Sequence, residues 1–158
     1  MREKVLLVDD DDLLVRSLKM LLWNEGLSVT TLTSGKEAIR IIDEEKFDII
    51  VTDIKMPDVD GLELVNRVRN SEINDIKETA VIVITGCASD ETPIEALKLG
   101  AVDYLLKPLE TADFMNSIMK ARAVLAERRE KNEIIKQLQE KIERLTKDLE
   151  DCERSKNQ

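Results

Sequence analysis

Several short apolar runs in this 158-residue chain stop on a side chain able to do chemistry. VLLV at residues 5–8 runs into Asp9 and Asp10, DIIVT at 48–52 into Asp53, VIVI at 81–84 into Thr85, and VDYLL at 102–106 into Lys107. Burying a strand favours apolar residues, so a carboxylate at its exit is either a turn residue or a reagent. Three carboxylates brought together repel, and one lysine cannot neutralise them. A hard divalent cation such as Mg²⁺ can, because it takes oxygen ligands, keeps several waters and is held by a few carboxylates plus a phosphate. With the metal and Lys107 in place, Asp53 faces two cations and can attack phosphorus in line while both stabilise charge on the transferring oxygens. The Thr85 hydroxyl is then available to bond a phosphoryl oxygen.

These side chains meet only if the strands carrying them are aligned. The runs at 5–8, 49–51 and 81–84 are continuously apolar, as strands covered on both faces should be. LSVTTLT at 27–33 and VDYLL at 102–106 are weaker and read as edge strands. Between them lie helical spacings: Leu14, Leu18, Leu21 and Leu22, ended by Gly26; Ala38, Ile41 and Ile42 after Gly35; Leu64, Val65 and Val68 after Gly61; and Ile94, Leu97 and Ala101 after Pro93. Five strands alternating with helices predict an α/β fold, a parallel doubly wound sheet of flavodoxin-like order 2-1-3-4-5. Its C-terminal strand ends share one edge, where ligands bind.

VLLVDDDD, DIIVTDIKMPDVDG, VIVITG and GAVDYLLKP together resemble the receiver domain of bacterial two-component response regulators over about residues 3–120. The four occur in the right order on the right strand ends, which makes the combination specific although each alone is weak. The resemblance implies Asp53 as phosphoacceptor, and Asp9, Asp10, Asp53 and the backbone carbonyl of Lys55 as Mg²⁺ ligands. It further implies that Lys107 contacts the phosphoryl group across a cis bond to Pro108, with Thr85 and Tyr104 as a switch pair. The phosphoryl donor would be a histidine kinase or phosphotransfer protein, and the chain a cytoplasmic phosphoacceptor switch that turns over no separate metabolite. Gly86 follows Thr85 where the family often has Ala, and Lys55 and Cys87 occupy positions that modulate phosphoryl lifetime in the family. The commoner family architecture adds a DNA-binding or enzymatic output domain, and these residues carry none.

From Thr111 onward there is no Gly, and no Pro, in one long helical pattern that Thr111 or Asp113 could cap. Residues 1–120 read as the phosphoacceptor domain and 121–158 as a helical extension. Ile135, Leu138, Ile142, Leu145, Leu149 and Cys152 alternate spacings of three and four, an a/d seam among Glu and Lys residues. Its register extends back through Lys131, Arg128, Val124 and Ala121. A lone exposed helix of this kind is poorly stable, so a partner is expected, with a parallel coiled-coil dimer as the favoured pairing. The helix opening after Pro93, the strand ending at Leu106 and the helix from Thr111 form a second expected homodimer face. The competing reading is an adaptor whose coiled coil recruits a partner regardless of phosphorylation.

Composition narrows the field. Residues 1–120 carry 14 basic against 24 acidic side chains, and residues 121–158 carry 10 against 9. An acidic domain with a balanced tail, and four aromatic residues in all (Trp23, Phe47, Tyr104, Phe114), argues against direct nucleic-acid binding or attachment to an anionic membrane. No apolar run approaches a membrane span or a signal peptide's core. Histidine is absent, which removes His-based metal sites and catalytic pairs. Cys87 reads as a small filler near the site, and Cys152 as a seam thiol that could bridge two chains under oxidation, although a free thiol is the stronger reading in a reducing cytosol. Three other motifs fail on spacing. Ser34-Gly35-Lys36 lacks the P-loop's first glycine and final hydroxyl, Asp58 and Asp60 lack an EF-hand's first ligand and closing Glu, and Lys55 stands where an aspartate-nucleophile phosphatase needs an acid. Asp11 and Asp12 read as first-turn acids of the first helix.

Overall fold

The VLLV run is paired on both sides. β1 (Lys4–Val8) lies between β2 (Ser28–Leu32) and β3 (Ile49–Asp53), β3 continues to β4 (Ala80–Thr85), and β5 (Asp103–Leu106) closes the far edge. Every pairing is parallel, in the order β2-β1-β3-β4-β5. The computed structural model describes residues 2–71, 74–86 and 92–156. Its helices are α1 (Asp12–Asn24), α2 (Gly35–Glu44), α3 (Gly61–Asn70), the single turn α4 (Asn74–Lys77), α5 (Thr92–Lys98) and α6 (Thr111–Lys156). The turn α4 carries no apolar period long enough to be read from sequence.

The continuous apolar runs are explained by two covered faces. Val5, Leu7, Val51, Ile82 and Ile84 pack with Leu18 and Leu22 of α1 and with Phe114, Ile118, Ala121 and Leu125 of α6. Alternate residues Leu6, Val8, Ile50, Val81 and Val83 pack with Ala38 and Ile42 of α2, Leu64, Val65 and Val68 of α3, and Ala96 of α5. A strand in such a sheet has no polar side to show, so period two disappears from its sequence. β3 and β4 are buried throughout, whereas β2 and β5 are partly exposed edges.

Three local expectations are corrected. The buried positions of α5 are Pro93 and Ala96, while Ile94 and Leu97 are exposed and Ala101 lies beyond the helix on the turn into β5. Apolar spacing alone therefore chose the wrong face of that helix. Asp11 is the cap of α1 and not a first-turn acid: the N–H groups of Leu13 and Leu14 both donate to its Oδ1 at 3.1 Å. For α6, Thr111 is already helical and Phe114 N–H donates to Glu110 O, so the cap position is Glu110.

The chain divides into two compact units, one ending at Leu125 and the other running from Ala126. The first passes residue 120 because Ala121 and Leu125 are buried in its core. Ala121 thus belongs to that core and not to the seam traced back through it.

Candidate functional site

The sheet register brings four strand ends together. Val8 pairs with Thr52, Asp53 with Ile84, and Thr85 with Leu106, so the residues that follow share one edge. Asp9 and Asp53 are both buried, at 2% and 5% exposure, while Asp10 is exposed. One carboxylate oxygen from each of the three lies within 4.8 Å of the others.

Lys107 joins the two buried acids. Its Nζ stands 3.0 Å from Asp53 Oδ2, to which it donates a hydrogen bond, and 2.8 Å from Asp9 Oδ2. The contact to Asp9 is an ion pair lacking hydrogen-bond alignment, which leaves that buried oxygen with no hydrogen-bond donor. The other oxygen, Asp9 Oδ1, accepts the Asp11 N–H at 2.9 Å. Burial, chiefly, together with the charge of Asp53, raises the Asp9 pKa against the pull of Lys107 and the Asp11 N–H. Lys107 is also raised: burial opposes its charge, but the two carboxylates outweigh that cost.

Three carboxylates and one ammonium sum to −2. A divalent cation balances that charge, and Asp9 Oδ2, which receives no aligned hydrogen bond and only the Lys107 ion pair, is an oxygen able to serve as a ligand. Asp9, Asp10 and Asp53 therefore fit a hard divalent ion by charge, donor type and proximity. Lys55, whose carbonyl completes the expected ligand set, follows Asp53 by two residues and forms a bridge to Asp60. The Lys107–Pro108 bond is cis. Thr85 is fully buried, whereas Tyr104 is 39% exposed. Cys87 lies outside the described residues.

The loop after Asp53 is built to keep this carboxylate at the strand exit. Gly61 N–H donates to Ile54 O at 2.8 Å, and a Cβ on Gly61 would run into the backbone carbonyl of Asp53. Only glycine permits α3 to start so close to β3. Asp60 caps α3 by accepting the Leu62 N–H at 2.8 Å.

Asp58 was missed as a functional support. It accepts Ser34 Oγ–H at 2.6 Å and the N–H groups of Gly35 and Lys36, tying the loop to the start of α2. Those bonds, Ser34's first, lower its pKa far below the ordinary 3.8. The two rejected motifs, Ser34-Gly35-Lys36 and Asp58-x-Asp60-Gly61, are halves of one clamp. Ser34 as cap of α2, with Glu37 three residues on, was a visible sequence signal; its pairing with a residue 24 positions away was not.

The fold and the acidic, lysine-bridged edge define a CheY-like phosphoacceptor scaffold. Residues 5–119 match the response regulator receiver domain, and the chain belongs to that family. The transcriptional regulatory protein ZraR of Escherichia coli (strain K12) is 35% identical over 121 residues, covering 75% of this chain and 26% of that protein. The chain thus spans about a quarter of that relative's length. A CheY-like receiver domain protein from Methanospirillum hungatei JF-1 superposes with a TM-score of 0.72 at 30% identity, covering 80% of this chain and 99% of that one. The beryllofluoride-activated NtrC4 receiver domain dimer gives 0.67 at 32% identity, covering 78% and 97%. Receiver domains are phosphoacceptor switches with an acidic pocket for Mg²⁺. No helix among the described residues is long and apolar enough to cross a membrane.

Proposed function

We propose that this chain is a phosphorylation switch in which Asp53 accepts a phosphoryl group from the phosphohistidine of a separate histidine kinase or phosphotransfer protein, and later loses it to water. The observation that carries the reading is the Lys107 ammonium held between buried Asp53 and Asp9, with Asp10 beside them. Asp9, Asp10, Asp53 and the Lys55 carbonyl would hold Mg²⁺. Once bound, the ion supplies charge neutralisation at the phosphoryl oxygens.

The chain's own residues do the rest. An Asp53 carboxylate oxygen attacks phosphorus as the bond to the histidine nitrogen breaks. Lys107 holds charge at the developing phosphoryl group, and its tether on the turn after β5 carries any change of position to the far edge of the sheet. Thr85 bonds the phosphoryl group and the Tyr104 ring turns inward behind it; the exposure of Tyr104 supports this as the resting arrangement.

Output passes through α5, β5 and α6. A groove there is lined by Tyr104, Leu106, Pro108, Asp113, Asn116 and Met119, and its exposed Leu106 and Met119 suit homodimer contact. The exposed seam of α6 supplies a second surface for self-association. The division of roles between a phosphoacceptor unit and a helical extension, a cytoplasmic location and the lack of direct nucleic-acid contact belong to the same proposal.

The test is incubation of the purified protein with acetyl phosphate, with and without Mg²⁺, read by intact mass. A Mg²⁺-dependent phosphoryl adduct absent from Asp53→Asn is expected. A correctly folded wild type that takes up no phosphoryl group sinks the reading. The exposed seam also favours a second reading, a phosphorylation-independent adaptor. Self-association and partner binding unchanged both by Asp53→Asn and by acetyl phosphate would select it.

A further inference from the structure

The second half of α6 carries an apolar stripe whose flanking charges distinguish the two ways a mate can lie on it. Ile135, Ile142 and Leu149 occupy a, and Leu138, Leu145 and Cys152 occupy d. The five Ile and Leu residues are 42–65% exposed, and Cys152 is exposed as well. The g positions are Ile134, Lys141 and Asp148, and the e positions Gln139, Thr146 and Glu153.

We propose that a second copy of this chain docks on the stripe antiparallel and not parallel. This rests on the homodimer reading above and assigns its geometry. In a parallel pair each g faces the e five residues on in the other copy. Lys141 then faces Thr146, Ile134 faces Gln139, and Asp148 faces Glu153 twice, so no pair attracts and two repel. Upstream, Arg128 and Lys131 at a and d would each face their own duplicate.

An antiparallel pair centred between Glu143 and Arg144 buries the same six residues. Ile135 faces Cys152, Leu138 faces Leu149, and Ile142 faces Leu145, each layer occurring twice by symmetry. The g positions now face one another, and Lys141 meets Asp148 on both sides. Gln139 meets Thr146 at e. Within the six layers no like charges are opposed; the first like-charge layer outside them is Lys131 against Lys156. Both arrangements hide the same apolar side chains, so burial is nearly equal and the flanking charges select the orientation. At about 1.5 Å per residue, the two Leu125 positions where the receiver units end would stand about 55 Å apart along the coil. Pairing through Tyr104, Leu106 and Met119 would then join separate coils.

Sedimentation equilibrium of the full chain at low salt separates the possibilities, because one substitution has opposite signs. Asp148→Lys places lysines opposite one another in the antiparallel pair, and is expected to weaken the dimer about tenfold. Adding Lys141→Asp to that variant restores it. In a parallel pair Asp148→Lys would instead remove the repulsion from Glu153 and tighten the dimer. No change or a tighter dimer overturns the proposal and leaves the homodimer standing. A wild type that sediments as one chain at every concentration overturns the homodimer reading beneath it.

Oxidative cross-linking in a Cys87→Ser background checks the geometry independently. Cys152 alone should give no cross-linked dimer, nor should Ile135→Cys combined with Cys152→Ser. Ile135→Cys with Cys152 retained should give one. Efficient cross-linking through either single thiol would establish the parallel arrangement and overturn the proposal.

Discussion

The two halves of α6 are one helix with opposite environments. In its first part Phe114, Ile118, Ala121 and Leu125 are buried against β1, β3, β4 and α1, whereas Ile135, Leu138, Ile142, Leu145 and Leu149 stand exposed. Both stretches repeat apolar residues at spacings of three and four. Periodicity marks an apolar face, but whether it is covered, and by what, depends on the rest of the molecule. The first half is covered by the receiver core; the second stands exposed, and it is this face that the proposed homodimer would cover.

The largest difference between the halves should appear on truncating one residue in each. Phe114→Ala removes a fully buried ring and should lower the unfolding free energy by about 3–5 kcal/mol in denaturant titrations. A smaller loss would mean that the site collapses around the gap and that this half of α6 is less tightly held than its burial implies.

Next in size is Lys107→Ala, which leaves Asp9 and Asp53 buried without their cation. In metal-free buffer it should cost about 1–3 kcal/mol. Added Mg²⁺ should stabilise this variant more than wild type, because the ion takes over the neutralisation. Equal stabilisation of both proteins would argue against a shared ion and lysine site.

Asp58→Ala removes the clamp beside Asp53 and should lower the melting temperature at neutral pH. The folded pKa of Asp58 lies below its ordinary 3.8, so the stabilisation is complete above that value and is lost as pH falls toward the folded one. The gap between wild type and variant should therefore be constant above about pH 5 and narrow below about pH 4. The phosphorylation rate should fall as well, since the loop that aims Asp53 loses its anchor on α2.

The smallest effect on the receiver unit belongs to Leu145→Ala. Its unfolding free energy should change by less than about 0.5 kcal/mol, while self-association measured by sedimentation should weaken. A large loss of receiver stability would show that the two halves of α6 are not energetically separate.

Read alone, the sequence determined the strand count, the parallel order and the chemistry of the edge. Those features rest on local facts: continuous apolar runs, and the residue types that end them. The same reading misplaced the face of α5, because Ile94 and Leu97 are apolar but exposed, while the small Ala96 fits against the sheet. It also assigned Ala121 to the seam and missed the Ser34–Asp58 clamp. Tertiary structure alone decided these points, since each depends on which distant surface lies opposite. It also supplied the hydrogen-bond state of Asp9: one oxygen held by the Asp11 N–H and the other facing Lys107 without an aligned donor. Residue type can announce a carboxylate, but only the folded chain sets its burial, its neighbours and therefore its readiness for a cation.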